Sequence, residues 1–350
     1  MAESPHIVVI GAGGNIGSHL LPHLANVASR LTLVDPDVYE PANVVSQNID
    51  TQDVGRAKVE AQAEKLLRKN PALQIESIQQ YVEDVPLGRL RGDLIIGALD
   101  TRIARQRVNE IAWRLSTPWI DIGVLGGAFK LARVNLYDPA EPGAPCLECQ
   151  WSDQEYAELE VGYPCQAQDV VRAQRPTLAT SALGALAASL AAIEVYKLLA
   201  GEATLQGGQI VYDSMHHSVL LSTDRRNPRC RFDHGRWSVA SWECPLQAMT
   251  LREALTEFAS LGVDGHPFVR ALVCPGCGRR EDALRLDRPA ANCPVCDRRM
   301  APPGFDIAER LDAGSCAEYG HLTLAQLGLL AGDIVTVGEG PKLMIVEQAA

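Results

Sequence analysis

The chain has 350 residues, 47% of them hydrophobic and 21% charged, with 29 Gly and 21 Pro. That is a globular composition, long enough for one large α/β domain and a smaller module. A formal net charge of −11 argues against a general nucleic-acid binder, which needs a basic surface to displace counterions.

No basic segment followed by a long apolar run opens the sequence, so no signal peptide is expected. Ten cysteines in that setting point to zinc in a reducing compartment, with a cytoplasmic location expected, rather than to disulfides. In chain order, residues 1–137 alternate apolar runs with polar-periodic ones, the pattern of a parallel α/β sheet. Ile7–Ile10, Leu31–Val34 and Leu94–Leu99 read as buried strands. Asn15–Ala28, Arg56–Lys69 and Arg102–Leu115 read as helices, with Pro22 expected to kink the first or delay its start.

Phe129–Tyr137 alternates with period two and reads as a half-exposed antiparallel strand. A Pro-rich stretch, Asp138–Pro145, then leads to Cys146-x2-Cys149, and the polar segment Trp151–Pro176 reads as an extended crossover. Thr177–Ala200 reads as a buried helix. Its uncharged core, Leu178–Ile193, has 16 residues, short of the ~20 needed to span a bilayer, so no membrane association is expected. Strands at Gln209–Met215 and Val219–Thr223 complete a larger domain, 1–236. The remainder, 237–350, reads as a separate α+β module. It has a helix at Leu251–Phe258, two more Cys pairs, and closing strands at Gly332–Val337 and Lys342–Val346.

Gly11-Ala-Gly13-Gly14-Asn15-Ile-Gly17 follows a strand and opens a helix. Glycines there let the backbone turn tightly and approach phosphates, which the free N–H groups of the helix start stabilise. Asp35 ends the next strand, where a carboxylate binds ribose hydroxyls, and Asp37 joins it among the candidate nucleotide-binding residues. An NAD-dependent oxidoreductase shows the same loop and acid, and a glycine turn serving only helix–strand packing reads the same way.

The residues after Asp35 are more specific. The chain continues Asp35-Pro-Asp37-Val-Tyr-Glu40-Pro-Ala-Asn43-Val-Val-Ser46-Gln47, and then Asp53-Val-Gly55-Arg56-Ala-Lys58. With these segments, the glycine loop and the later Cys pair, residues 5–236 resemble the ThiF/MoeB family and the adenylation domain of ubiquitin-activating enzymes. The resemblance implies a Rossmann-like, largely parallel sheet with helices on both faces. It also implies ATP- and Mg²⁺-dependent adenylation of the C-terminal glycine of a ubiquitin-like or sulfur-carrier protein, by a homodimer.

Residue by residue, the resemblance implies that Gly11, Gly13, Gly14 and Asn15 hold phosphates and Asp35 the ribose. Asn43 would lie beside the phosphates, Gln47 matches the residue that closes the same motif, Lys58 would contact the phosphates, Asp100 would position magnesium, and Arg105 stands where the family has a nearby arginine. Attack of a carboxylate on the α-phosphate brings anion onto anion, so a cation and a metal are needed. Lys58 suits the first task and Asp100, a hard oxygen ligand, the second. Taken alone, Lys58 is an exposed helix lysine and Asp100 the N-cap of the helix after it.

Two features depart from the family. Ser46 replaces the arginine before the closing glutamine, and only six residues precede the first strand, where members often carry a helical segment that sends an arginine into a partner's site. Arg56, Arg102, Arg105 or a partner chain would have to supply the charge. A catalytically inactive scaffold is therefore a third reading, beside adenylation and NAD-dependent reduction.

Cys146-x2-Cys149 lies where the resemblance places half of a structural zinc site. Cys230-x3-His234 offers the other half, with Cys244 as the alternative to His234. Cys274-x2-Cys277-x15-Cys293-x2-Cys296 has zinc-ribbon spacing, with Pro275-Gly276 and Pro294 in its knuckles. Arg279-Arg280 and Arg298-Arg299 flank the ribbon and read as solvated charge or as contacts for an acidic protein partner.

Cys165, in the crossover, is the candidate thiol. In activating enzymes that proceed beyond adenylation, a cysteine in this connection forms a thioester. An inert buried thiol is the other reading, and Cys316 the alternative nucleophile. Thr323–Val337 resembles the closing part of a ubiquitin-like β-grasp fold, which would make the module a recruiter of a conjugating enzyme or of the modifier itself.

Overall fold

Short runs of buried aliphatic residues build the main sheet of the protein, whose computed structural model describes residues 5–125, 130–159, 180–205, 207–288, 292–304, 307–338 and 342–348. The chain divides into two units, Met1–Val85 with Leu90–Arg236 and Pro86–Arg89 with Trp237–Ala350. In the first, β1 (His6–Ile10), β2 (Arg30–Val34), β3 (Gln74–Ile78), β4 (Leu94–Gly97) and β5 (Trp119–Leu125) pair in parallel. β6 (Leu131–Tyr137), β7 (Gly208–Asp213) and β8 (Ser218–Thr223) add antiparallel strands. The order is β3-β2-β1-β4-β5-β6-β7-β8.

Side chains alternate along a strand, so each face draws on every second residue. Ile7, Val9, Leu31, Leu33, Leu94, Ile96, Ile120 and Ile122 pack beneath α1 (Asn15–Leu24), α2 (Lys58–Lys69) and, later in the chain, the long helix Ser181–Ala200. α3 (Arg102–Arg114) lies against β4 and β5, and its buried Val108, Ile111 and Trp113 take no part in that cluster. It covers the other face. α4 (Asp153–Leu159) precedes the long helix, α5 (Ser181–Ala200).

Ile10 pairs with Val34 on one side and Gly97 on the other. The loops after β1, β2 and β4 therefore open at one edge. Strand order reverses between β1 and β4, and open α/β sheets take ligands in the crevice at such a reversal.

Several expectations are corrected. Gln74–Ile78 and Trp119–Leu125 are strands that the periodicity did not mark. The first is a polar edge strand, and the second carries the fully buried Asp121. β6 is mostly buried rather than half-exposed, Phe129 lies outside the described residues, and β4 ends at Gly97 rather than Leu99. α1 starts at Asn15 and runs through Pro22 to Leu24. Pro22 has no N–H to offer the Ser18 carbonyl, and the Asn48 side-chain amide donates to that carbonyl instead, at 3.3 Å.

α5 begins with Thr180 as its cap, the hydroxyl accepting from the Leu183 N–H at 3.3 Å. It is apolar and long enough to cross a membrane, with a mean hydropathy of 1.6 over its best window. Its Ala187, Ala188, Ala191, Ala192 and Val195 nevertheless belong to the domain core.

The second unit contains β9 (Val239–Cys244), α6 (Leu251–Phe258), β10 (Ser260–Val263), β11 (Phe268–Val273), β12 (Arg280–Leu286), β13 (Ile307–Ala308), β14 (Leu311–Asp312), α7 (Cys316–Tyr319), β15 (Ile334–Val337) and β16 (Lys342–Gln348). One sheet has the order β14-β10-β15-β16-β9, the other β12-β11-β13. Thr250 and Glu253 form a capping box that starts α6. The first and last strands of the larger sheet, β9 and β16, pair in parallel, with β9 at the edge. The smaller sheet is inserted between β10 and β14.

Candidate active site and metal centres

Gly11 has φ +80°, a region side chains avoid, and a Cβ there would lie 2.3 Å from the Ala98 carbonyl oxygen. The loop after β1 thus rests directly on the loop after β4. At Gly13 a Cβ would lie 2.3 Å from the Lys58 Cβ, so only glycine admits the lysine stem. Gly14 meets nothing nearer than the Gly11 carbonyl oxygen at 3.6 Å, and α1 starts with neither a side-chain cap nor an acidic residue in its first turn. A helix start left in this condition fits an anion.

Asp35 is 4% exposed. Its carboxylate accepts from the Gly13 N–H at 2.8 Å and from the Asp37 N–H at 3.1 Å. Burial pushes its pKa up, against the opposing pull of Lys58. Its first task is to fix the glycine loop.

The segment after it pairs with the Asp-Val-Gly-Arg stretch. The Tyr39 N–H donates to the Arg56 carbonyl, the Gly55 N–H to the Tyr39 carbonyl and the Lys58 N–H to the Asp37 carbonyl, each at 2.9 Å. Asp53 anchors the turn. Burial raises its pKa, but Lys65 at 2.7 Å and the Asp50 N–H outweigh burial and hold it below the usual carboxylate value. As a result the Lys58 ammonium sits 2.8 Å from Asp37 and 5.9 Å from the Tyr39 ring centre, with Lys58 only 7% exposed. It is not a solvated helix lysine. The Tyr39 hydroxyl donates to the Gly13 carbonyl at 3.1 Å and accepts from Gln62 at 2.8 Å. Sequence reasoning missed both Tyr39 and Gln62.

The remaining candidates fall into distinct groups. Asn15 donates to the Thr180 carbonyl at 3.1 Å, and Asn43 accepts from the Glu40 N–H at 2.8 Å, closing the turn Pro41–Val45. The Gln47 Oε1 is buried with no partner among the described residues, an acceptor suited to a hydroxyl or amide donor. Asp100 is exposed on the loop after β4. It is not the cap of α3, because Thr101 is, accepting from the Ala104 N–H at 3.2 Å.

Arg105 is a strut. Its guanidinium bonds Asp121 and the Leu99 carbonyl, and the Ile122 carbonyl at 3.1 Å. Arg56 pairs with Glu64 at 2.7 Å and Arg102 with Glu155 at 3.6 Å. Each arginine considered as a substitute at Ser46 already faces a carboxylate. Cys165 and the side chain of Cys316 lie outside the described residues.

Cys146, Cys149, Cys230 and His234 bring four ligand atoms within 4.8 Å of one another. The Sγ of Cys146 is 3.7 Å from those of Cys149 and Cys230, and the Cys149 Sγ is 3.2 Å from the His234 Nε2. Tetrahedral zinc with bonds of about 2.3 Å to sulfur separates two sulfurs by about 3.8 Å. The group therefore fits a closed structural zinc site. Hydrogen bonding from Cys146 lowers the Cys149 pKa against the effect of burial. The same bond raises that of Cys146, and burial that of Cys230, as expected of thiols crowded into one site. Cys244 is not a ligand. It sits on β9 with its thiol 3.6 Å from the Met249 sulfur.

Glu148, between the first two ligands and 3% exposed, was also missed. It accepts from Gln106 at 3.0 Å and Asn109 at 3.4 Å on α3, and from the Tyr156 hydroxyl at 3.0 Å on α4. Burial raises its pKa, and the three donors work against that. An acid between two metal-binding cysteines was the available signal.

Cys274, Cys277, Cys293 and Cys296 likewise gather within 4.8 Å, with Cys274–Cys296 at 3.3 Å and Cys277–Cys293 at 3.6 Å. The two knuckles repeat each other. Cys274 and Cys293 each donate a backbone bond of 2.8 Å to the residue five positions on, and Gly278 and Asp297 both adopt positive φ, +73° and +58°.

A glycine loop at the reversal point of a largely parallel sheet, with a lysine and carboxylates around it, defines a nucleotide-binding α/β protein of the Rossmann type. The ThiF family model matches residues 1–232, and the chain belongs to the ThiF family. Among its relatives, the sulfur carrier protein ThiS adenylyltransferase of Escherichia coli is 28% identical over 64% of this chain and 85% of its own. The molybdopterin-synthase adenylyltransferase of the same organism is 26% identical over 65% and 86%. The SAMP-activating enzyme E1 of Haloferax volcanii is 27% identical over 65% and 79%. Of the solved structures, E. coli MccB with ATP superposes with a TM-score of 0.53 at 22% identity, over 65% of each chain, a likeness of fold. These relatives are adenylyltransferases and activating enzymes, which sets the oxidoreductase reading aside.

Proposed function

We propose that the chain uses ATP and Mg²⁺ to activate the C-terminal carboxylate of a ubiquitin-like or sulfur-carrier protein as an acyl adenylate. The observation that carries this reading is the seating of Lys58 against Gly13 of the glycine loop, at the edge where the loops after β1, β2 and β4 open, within a ThiF-family domain; Asp100 is on the last of those loops. A carboxylate oxygen of the carrier attacks the α-phosphorus. The bond from that phosphorus to the oxygen bridging toward the β-phosphate breaks, and pyrophosphate leaves with the electron pair.

The chain's own groups suit that step. The open N–H groups at the start of α1 receive phosphate oxygens. Lys58, held at the loop by Asp37, exchanges that carboxylate for phosphate as charge grows on the leaving oxygens. Magnesium, when bound, supplies further charge neutralisation, and Asp100 is the exposed hard-oxygen ligand beside the loop. Asp35 keeps the loop in register, and Gln47 offers an acceptor to a ribose hydroxyl.

Activity as a homodimer in a reducing compartment such as the cytoplasm belongs to the same proposal, and so does recruitment of a conjugating enzyme by the second unit. Where the reaction continues, the thiolate of Cys165 attacks the acyl carbon, a thioester forms and AMP leaves. Carrier-dependent ATP–pyrophosphate exchange tests the proposal. Lys58→Ala and Asp100→Ala should abolish exchange, whereas a scaffold would bind carrier without any exchange in the unaltered protein. Cys165→Ala should exchange normally yet form no thiol-reducible adduct, and an adduct that persists would assign another thiol.

A further inference from the structure

The ribbon carries a repeat that the activation chemistry does not use. Cys274-Pro-Gly-Cys277-Gly-Arg279-Arg280 and Cys293-Pro-Val-Cys296-Asp-Arg298-Arg299 share the pattern Cys-Pro-x-Cys-x-Arg-Arg. The equivalent turns of the two knuckles place an arginine pair at the same point of each. All four arginines are exposed.

Arg280 meets Asp282 at 2.6 Å, but Arg279 and Arg298 face no carboxylate among the described residues. The Arg298 stem lies across the first knuckle, since a Cβ on Gly276 would come within 2.6 Å of its Cδ. The Nε and Nη1 of its guanidinium lie over the same glycine, 3.1 and 3.3 Å from that Cβ position, so the contact fixes the head as well as the stem while the residue stays exposed. Residues 268–304 hold seven Arg against four Asp and Glu, in a chain whose net charge is −11. The knuckles add exposed Pro275, Pro294 and Val295, the last 65% exposed.

We propose that the tip of this ribbon is a docking surface for a short acidic segment of a protein partner. Paired guanidinium forks match carboxylates bidentately, and Val295 and the prolines supply apolar contact between them. A short segment feels mainly the local field, because charges beyond about 8 Å are screened at physiological salt. A nucleic acid extends past that distance along a chain of the same sign. It would also find no stacking platform, since the sole aromatic residue of 268–304 is Phe268, which is buried.

The test is fluorescence anisotropy of a labelled octaglutamate peptide with the full-length protein, at about 0.05 M and about 0.5 M salt. Octaglutamine and an oligothymidylate of equal charge serve as comparisons, and zinc content is measured in parallel. The proposal expects salt-sensitive octaglutamate binding and none of octaglutamine. It expects a loss of about tenfold in R279E/R280E and in R298E/R299E, since each removes two exposed charge contacts, with zinc retained. Should a reversed variant lose zinc, R298Q/R299Q replaces it, and a smaller loss with full zinc is expected. No binding at low salt, equal affinity in the variants, or tighter binding of the oligothymidylate would overturn it, the last assigning the surface to nucleic acid.

Discussion

Lys58 is placed by its backbone and stem before its charge acts. Its N–H bonds the Asp37 carbonyl, its Cβ abuts Gly13, and Asp37 holds the ammonium. Lys58→Ala should therefore abolish detectable carrier-dependent exchange, since the loss of one charge-stabilising group costs at least about 10²–10³-fold, while the unfolding temperature barely moves. Calorimetry beside the exchange assay checks both halves. Asp35 makes a prediction about pH. Burial holds its folded pKa above the ordinary 3.8, so the folded chain binds that proton more tightly than the unfolded one. Stability from this group is full below about 3.8 and is lost as pH rises through the folded value. Asp35→Asn should lack that fall above the ordinary carboxylate pKa of 3.8, while losing about 1–3 kcal/mol for one orphaned backbone N–H. Equal pH slopes in the two proteins would contradict the assignment.

At the scale of elements, two adjacent residues divide cap from chemistry. Thr101→Ala should cost about 1 kcal/mol as a lost helix cap and leave exchange intact. Asp100→Ala should do the reverse, and denaturant melts with the exchange assay separate them. Glu148 joins the first zinc knuckle to α3 and α4. Its replacement by Ala orphans three donors, for about 3 kcal/mol or a fall in Tm on the order of 10 °C for a domain of this size. Chelation of zinc should lower Tm in the same unit, and additivity of the two effects would argue against their coupling.

What the sequence disclosed at this scale was whatever local chemistry dictates: the glycine loop, the Asp-Val-Gly-Arg-x-Lys turn, both cysteine groups and the helices after them. β5 escaped notice because Asp121, neutralised by Arg105 and Arg133, interrupts its apolar run. The ease with which α1 passes Pro22 depends on Asn48, 26 residues later. Tyr39, Gln62 and Glu148 act through partners distant in sequence, which no periodicity reports. Arg105 stands at the family position, but only the structure shows its charge committed to Asp121.

For the whole molecule, the family match ends at residue 232. The relatives cover 79–86% of their own lengths with only 64–65% of this chain. All of the second unit but Pro86–Arg89, with its own core and ribbon, therefore falls outside that match, which is where a partner-recognising function has room to differ. The first unit carries the central claim, that a bound triphosphate activates the tail of a small carrier protein. The most direct measurement is exchange of labelled pyrophosphate into ATP by the purified chain with magnesium, across a panel of ubiquitin-like and sulfur-carrier proteins. The account predicts label in ATP only when a fitting carrier with an intact C-terminal glycine is present, and none with Lys58→Ala. Binding of ATP and of carriers with no exchange for any of them would contradict it.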